Sequence, residues 1–362
     1  MKFLLSGGGT GGHLFPAIAL AEEILLRKKG NEVLFVGAER GIEREILPQK
    51  GYDCVFLNIK PLRGGGLLGL ISGLLRLPIA IIRAMMIIRK FNPDAVIGSG
   101  GYACAPVIIA AYLMRKKRFL LEQNIIPGFT NRILGRFVDA VITAFKNSYK
   151  YFKAKRVEWL GNPVRRQLFD NFINDSIEDE YFTVLVFGGS QGAHFINEMA
   201  VEAFRIINEK KEPINITHQT GRKDFEEIKN RYGSAGISAY VTEFIDDMST
   251  AYRTADLVIC RSGATSIAEI TVCKKPSILI PYPYAADDHQ RLNALELVDA
   301  GAAIMLEQKT LTPEILAEAI LSLKRDPTRL KSMSEHASRI AKPEAAREIM
   351  DFVITLVKGK RG

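Results

Sequence analysis

The sequence predicts an α/β fold: two doubly wound parallel sheets in succession, with ligands at the carboxyl ends of their strands. Three observations carry this. Short apolar runs alternate with stretches of helical character along the chain. Glycine-rich loops stand where an apolar run gives way to a helical stretch, at Gly7–Gly12 and again at Gly188–Ala193. Between them, Gly161-Asn162-Pro163 is a turn signal near mid-chain, after which the same pattern restarts. At 362 residues the chain is long enough for two domains, each with its own core.

Lys2–Leu5 reads as a buried strand. The loop after it holds five glycines in the six positions from Gly7 to Gly12, and Leu14–Ala21 follows as a helix with Pro16 in its first turn. Glycines let a ligand approach the backbone, and a helix N-terminus offers N–H groups and partial positive charge. An anion, above all a phosphate, suits that junction. Asn31–Gly37 and Asp94–Ile97 are further strands, the second running into another glycine loop at Gly98–Tyr102. Arg118–Leu121 and Ala140–Ile142 complete the first half.

Leu67–Lys90 is strongly apolar but interrupted by Arg76, Pro78 and Arg83, and it closes on Arg89-Lys90. It is too broken for a membrane span and predicts a loop and a helix. Two readings stand: a segment lying on an anionic membrane surface, or a helix buried against the sheet. Beyond the mid-chain turn and an acidic stretch, Asp170–Glu180, Thr183–Phe187 is a strand, and a helix starts at Phe195. Asn215–Gln219, Ala239–Thr242, Asp256–Cys260 and Ser277–Ile280 are the later strands. Two such halves imply a ligand cleft between them. Pro343–Val357 is helical and expected to pack back on the first domain, so the predicted boundaries are 1–161, 162–340 and 341–362.

Hydrophobic content of 47% and charged content of 25% are those of a globular protein. Met1-Lys2 leads straight into the first strand, which predicts a protein without a secretory leader. The four cysteines are scattered with no C-x-x-C, so neither a disulfide framework nor a zinc site is expected, and a reducing cytoplasm fits. Net charge of +9 favours anionic partners. No nucleic-acid module is recognisable, which leaves phosphorylated ligands or a membrane surface.

Several motifs carry competing readings. Gly7-x-Gly9-x-x-Gly12, with Glu39 after the second strand, matches a dinucleotide fingerprint. Gly188-x-Ser190-x-Gly192 matches a nucleophile elbow, with Asp256 and His289 available as partners, but serves equally as a phosphate loop. Arg261–Glu269 joins a strand end to a helix start, where Glu269 suits a ribose diol or complements the helix dipole. Asp287–Asn293 is a polar cluster fit to read sugar hydroxyls or to cap a helix. No D-x-D occurs, so no metal–diphosphate site is expected.

Taken together and in order, several stretches resemble the GT-B glycosyltransferases, and among them the N-acetylglucosaminyltransferases that convert lipid I to lipid II in peptidoglycan synthesis. These are Gly8–His13, Gly100-Gly101-Tyr102, Glu122-Gln123-Asn124, Gly161–Arg165, Gly188–Ala193, Thr242–Met248, Arg261–Ala264 and His289-Gln290. The resemblance covers nearly the whole chain. It implies two Rossmann-like domains facing a central cleft, the first taking the acceptor and the second the donor, UDP-N-acetylglucosamine. Ile245 would meet the uracil through its backbone, Glu269 the ribose, and Gln290 the N-acetylglucosamine hydroxyls. Ser190 and the helix start at Ala264, Thr265 and Ser266 would meet the diphosphate, helped by Arg165. Thr10, Gly11, Gly12 and Asn124 would face the donor sugar and the acceptor. Gly9, Gly100, Gly101 and Tyr102 would bind the acceptor's diphosphate. No metal or other cofactor is implied. The acceptor is a polyprenyl-diphosphate-linked muramyl peptide, so the expected location is the cytoplasmic face of a membrane, held peripherally. Ala285–Asp288 departs from the family pattern and puts sugar contacts upstream of His289 in doubt. His13 is the candidate base for an inverting displacement, because an imidazole titrates near neutrality; the alternative is a hydrogen bond to substrate alone.

Overall fold

The structure, a computed structural model, describes residues 1–59, 66–170 and 181–359. The acidic stretch 171–180 lies outside them. The chain folds as two compact units, Met1–Arg165 with Pro343–Gly362, and Arg166–Lys342.

Among the described residues, the first unit holds a seven-stranded sheet. Its strands are β1 (Lys2–Gly7), β2 (Glu32–Ala38), β3 (Cys54–Leu57), β4 (Ala95–Gly100), β5 (Lys117–Glu122), β6 (Ala140–Thr143) and β7 (Val157–Trp159). The spatial order is β3-β2-β1-β4-β5-β6-β7, and neighbours run parallel. Helices α1 (Gly11–Arg27), α2 (Glu43–Gln49), α3 (Gly66–Phe91), α4 (Cys104–Leu113) and α5 (Phe129–Leu134) accompany them. Alternate side chains of the central strands enter opposite layers, which is why their sequences read as unbroken apolar runs. Phe3, Leu5, Phe119 and Leu121 pack with Leu14 and Ile18 of α1. Leu4, Val96 and Leu120 pack with Ala84 and Ile88 of α3 and with Val107 and Ile108 of α4.

The second unit repeats the plan with six parallel strands among the described residues. They are β8 (Thr183–Phe187), β9 (Asn215–Gln219), β10 (Tyr240–Thr242), β11 (Leu257–Cys260), β12 (Ser277–Leu279) and β13 (Ala303–Met305), in the order β10-β9-β8-β11-β12-β13. Its helices are α6 (Arg166–Asp170), α7 (His194–Glu209), α8 (Phe225–Ser234), α9 (Met248–Thr254), α10 (Ala264–Val272), α11 (His289–Asp299), α12 (Pro313–Lys324) and α13 (Pro327–Ile340). The last helix, α14 (Ala345–Lys358), belongs to the first unit, where Ile349, Met350 and Val353 join the α1 layer. Arg27 of α1 ties it down, donating to Asp351 Oδ1 and to the Arg347 carbonyl, each at 2.6 Å.

The segment expected to be a loop and a helix is, from residue 66 onward, one helix that runs through Pro78. The backbone bond lost at a mid-helix proline costs about 3 kcal/mol in isolation; packing of Ala80, Ala84 and Ile88, one helical turn apart, offsets it. Ile79, Ile82 and Met86 lie on the other side, each more than half exposed, beside Arg83, Arg89 and Lys90. One side of this helix is thus buried and the other exposed. The side chains of 66–76 lie outside the described residues. Among the described residues no helix is long and apolar enough to cross a membrane.

Candidate functional site

In each sheet the strand order reverses between two central neighbours, β1 and β4 in the first and β8 and β11 in the second. A doubly wound sheet opens a crevice at such a reversal, beyond the carboxyl ends of the strands. The three glycine loops singled out in the sequence leave from β1, β4 and β8, and the Arg261–Gly263 connection leaves from β11.

At the first reversal, Thr10 stands at the N-cap of α1 and its carbonyl accepts from the N–H groups of His13 and Leu14. Gly11 and Gly12 open the helix, and His13 lies half-buried in its first turn. Gly100 ends β4 with φ of 101°, and a Cβ there would fall 2.6 Å from His13 Nδ1, so only glycine admits the ring. Gly101 and the exposed Tyr102 follow. Asn124 comes just after β5; its N–H donates to Glu122 Oε1 at 2.9 Å, and its carbonyl accepts from Ser148 Oγ at 3.2 Å. Adjacent strand ends therefore bring His13, Gly100–Tyr102 and Asn124 together.

Glu43, Glu122 and Gln123 had no assigned part. Glu43 of α2 is fully buried beneath the loop and accepts from the N–H groups of Gly9 (2.7 Å) and Ala38 (2.8 Å). Gly9's N–H is thus committed inside the protein, and the acid that meets this loop is Glu43 rather than Glu39. Gln123, 2% exposed, lies with Oε1 3.1 Å from His13 Nδ1. Glu122 is equally buried, and burial pushes its carboxyl group up to about 7 against the hydrogen bonds from Asn124, Asn131 and Gly128. Arg165 is the last residue of the first unit's opening segment, and its guanidinium stacks over the Phe15 ring at 4.9 Å.

At the second reversal, Ser190 sits in the turn closed by Gly192 N–H on the Gly189 carbonyl (3.0 Å). Gly192 has φ of 75°, and a Cβ on it would fall 1.9 Å from the Thr220 carbonyl oxygen, so two loops meet there backbone to backbone. Gln219, at the end of β9, bridges the region: its Nε2 donates to the Gly189 carbonyl and its Oε1 accepts from Ile245 N–H, both at 2.9 Å. Ala264, Thr265 and Ser266 form the first turn of α10, immediately past β11. Glu269, one turn on, is 6% exposed and accepts from Tyr252 Oη at 3.2 Å. Arg261 ends the buried β11 connection; its Nη1 donates to the Ile280 and Pro281 carbonyls at 3.1 Å, and burial lowers it to about 10, so it stays charged at neutral pH. Gln290 opens α11 and accepts from Tyr282 N–H at 2.9 Å. Asp287 and Asp288 before it both take left-handed backbone conformations, φ 53° and 54°. Asp288 stands at the N-cap of α11 without a side-chain cap bond.

The nucleophile-elbow reading fails on geometry. Asp256 accepts from the Thr183 N–H at the amino end of β8, whereas Ser190 follows the carboxyl end of that strand. His289 Nδ1 bonds the Ala286 carbonyl instead, at 2.7 Å. Among the described residues, no group of three or more His, Cys, Asp or Glu is placed to hold a metal ion.

Parallel sheets reversing at two glycine-loop crevices define the class. The glycosyltransferase family 28 N-terminal domain matches residues 3–143 and the family's C-terminal domain matches residues 183–349; the chain belongs to this family. It is 50% identical over 357 residues to a Myxococcus xanthus protein named UDP-N-acetylglucosamine–N-acetylmuramyl-(pentapeptide) pyrophosphoryl-undecaprenol N-acetylglucosamine transferase, covering 99% of this chain and 93% of that one. A Geobacter sulfurreducens protein of the same name is 46% identical, with 98% of each chain covered. The crystal structure of Acinetobacter baumannii MurG superposes with a TM-score of 0.76 at 31% identity, covering 98% of this chain and 99% of that one. A Listeria monocytogenes structure described as a UDP-N-acetylglucosamine 2-epimerase reaches a TM-score of 0.73 at 14% identity over 99% of this chain and 97% of that one, which is a likeness of fold alone.

Proposed function

We propose that this chain transfers N-acetylglucosamine from UDP-N-acetylglucosamine to the muramyl 4-hydroxyl of lipid I, a polyprenyl-diphosphate-linked muramyl peptide, giving lipid II. The observation that carries the reading is the 50% identity to a transferase so named over 357 of 362 residues, a span that leaves neither unit outside the match.

The donor belongs to the second unit. Its diphosphate meets the Ser190 turn and the first turn of α10 at Ala264, Thr265 and Ser266, where N–H groups and the helix dipole favour anions. The uracil lies beside Ile245; since Gln219 takes that N–H, the Ile245 carbonyl is the group that a base meets. Glu269 holds the ribose, and Gln290 reads the sugar hydroxyls. The acceptor belongs to the first unit, where Thr10–Gly12, Gly100–Tyr102 and Asn124 border His13. Arg165 is the cation that helps with the donor's diphosphate.

The chemistry is an in-line displacement with inversion. His13 takes the proton of the acceptor hydroxyl as that oxygen bonds to the anomeric carbon, and UDP departs with the electron pair of the broken C–O bond. Charge grows on the leaving diphosphate, and one donor placed for it is worth roughly 3 kcal/mol in the transition state. The exposed Ile79, Ile82 and Met86 of α3, with Arg83, Arg89 and Lys90 beside them, support peripheral attachment to an anionic membrane, on its cytoplasmic face, where a lipid-borne acceptor is met.

The test is direct. Supplied with radiolabelled UDP-N-acetylglucosamine and a lipid-linked muramyl peptide, the protein should move label into the organic phase. Label that stays aqueous with active lipid I present would end the reading.

A further inference from the structure

Contacts from β4 and from the residue just after β5 hold His13. Ser99 Oγ donates to its backbone carbonyl at 2.8 Å, Gly100 packs against the ring, and Nδ1 lies 3.1 Å from Gln123 Oε1. The Gln123 amide is oriented from its other side. Its NH2 group donates to the Ser99 carbonyl at 2.9 Å, and a carbonyl oxygen can only accept. The oxygen end must therefore face the imidazole, and a hydrogen bond forms there only when Nδ1 carries the ring proton. At 2% exposure, Gln123 is shielded from water that could replace this partner.

We infer that Gln123 is a positioning residue for the transfer reaction, holding neutral His13 in the Nδ1–H tautomer so that Nε2 bears the basic lone pair. This deepens the proposed function and rests on His13 being the base. During the reaction Nε2 accepts the hydroxyl proton, and the imidazolium keeps its Nδ1–H bond to the amide oxygen. A neutral acceptor steadies that cation without taking its proton, which passes afterwards to solvent.

The full chain labelled with nitrogen-15 histidine tests this by NMR at neutral pH, with His13 signals assigned by their loss in His13→Gln. The expected spectrum shows a protonated Nδ1 and an unprotonated Nε2. Gln123→Met fills the space but accepts poorly. It should move His13 toward the Nε2–H form and lower kcat roughly tenfold to hundredfold, with KM for UDP-N-acetylglucosamine within about twofold. Gln123→Glu restores an acceptor, and should keep Nδ1–H and retain more of kcat than Gln123→Met. Thermal melts confirm folding, and if the methionine variant does not fold, the wild-type spectrum and the glutamate variant decide. An Nε2–H His13 in the wild type, or full turnover in a folded Gln123→Met, overturns the inference. Full turnover in His13→Gln instead overturns the base reading beneath it, whatever tautomer the spectrum shows.

Discussion

At Glu122 the surroundings oppose each other. Donors at Asn124, Asn131 and Gly128 favour its charged form, yet burial prevails and lifts it from the ordinary 4.5 to about 7. The native state therefore keeps this proton at pH values where the unfolded chain has released it. That contribution to stability is complete below about pH 4.5 and is lost as pH rises through about 7, by up to roughly 3 kcal/mol. Urea midpoints measured across this range should fall with rising pH, and Glu122→Gln should remove that part of the slope; parallel curves for the two proteins would contradict it. Glu269 has one observed bond, from Tyr252, and one proposed role, at the donor's ribose, and a pair of variants separates them. Glu269→Ala leaves the buried Tyr252 hydroxyl without this acceptor, at a cost of about 1–3 kcal/mol, and also raises KM for the donor. Glu269→Gln keeps an acceptor for Tyr252, so its melting temperature should return toward wild type while KM stays high. An unchanged KM in both would assign Glu269 to the interior alone.

At the scale of elements, α3 divides its work between two faces. Ala80, Ala84 and Ile88 hold it to the sheet layer, while Ile79, Ile82 and Met86 point outward. Ile82→Asp with Met86→Asp should lower binding to anionic lipid vesicles by about tenfold or more, since a buried apolar side chain is worth about 1.5–3 kcal/mol. The same pair should leave the melting temperature nearly unchanged, because exposed substitutions stay within about 0.5 kcal/mol. Equal vesicle binding would remove α3 from the membrane role. The opposite face gives the control: Ile88→Asp puts a charge into a fully buried position and should unfold the first unit. Helix α14 shows how far an element can act from its place in the chain, since its Ile349 and Val353 complete the layer that α1 begins.

For the whole molecule, two sheets with the same reversal were legible because their central strands are buried on both faces. Residues such as Phe3-Leu4-Leu5 and Leu257-Val258-Ile259 leave no doubt about burial. The edge strands β3, β7 and β13 escaped notice for the converse reason. They are four, three and three residues long and alternate or fade in exposure. The loops of the candidate site were legible through their glycines, which backbone crowding demands. Glu43 and Gln219 were not, because a polar residue's burial beneath a loop is decided by partners distant in sequence, here Gly9 and Ile245. Pro78 misled for a related reason: tertiary packing of α3 outweighs a local helix breaker.

The central claim is that the donor nucleotide is bound where β8 and β11 part, not at the glycine loop after β1. Amide hydrogen exchange on the full chain, with and without saturating uridine diphosphate and no acceptor, tests it most directly. Protection should concentrate in Gly188–Ala193, Thr242–Met248 and Arg261–Glu269, with Gly7–His13 unchanged. Protection at Gly7–His13 with none in those three segments would contradict it.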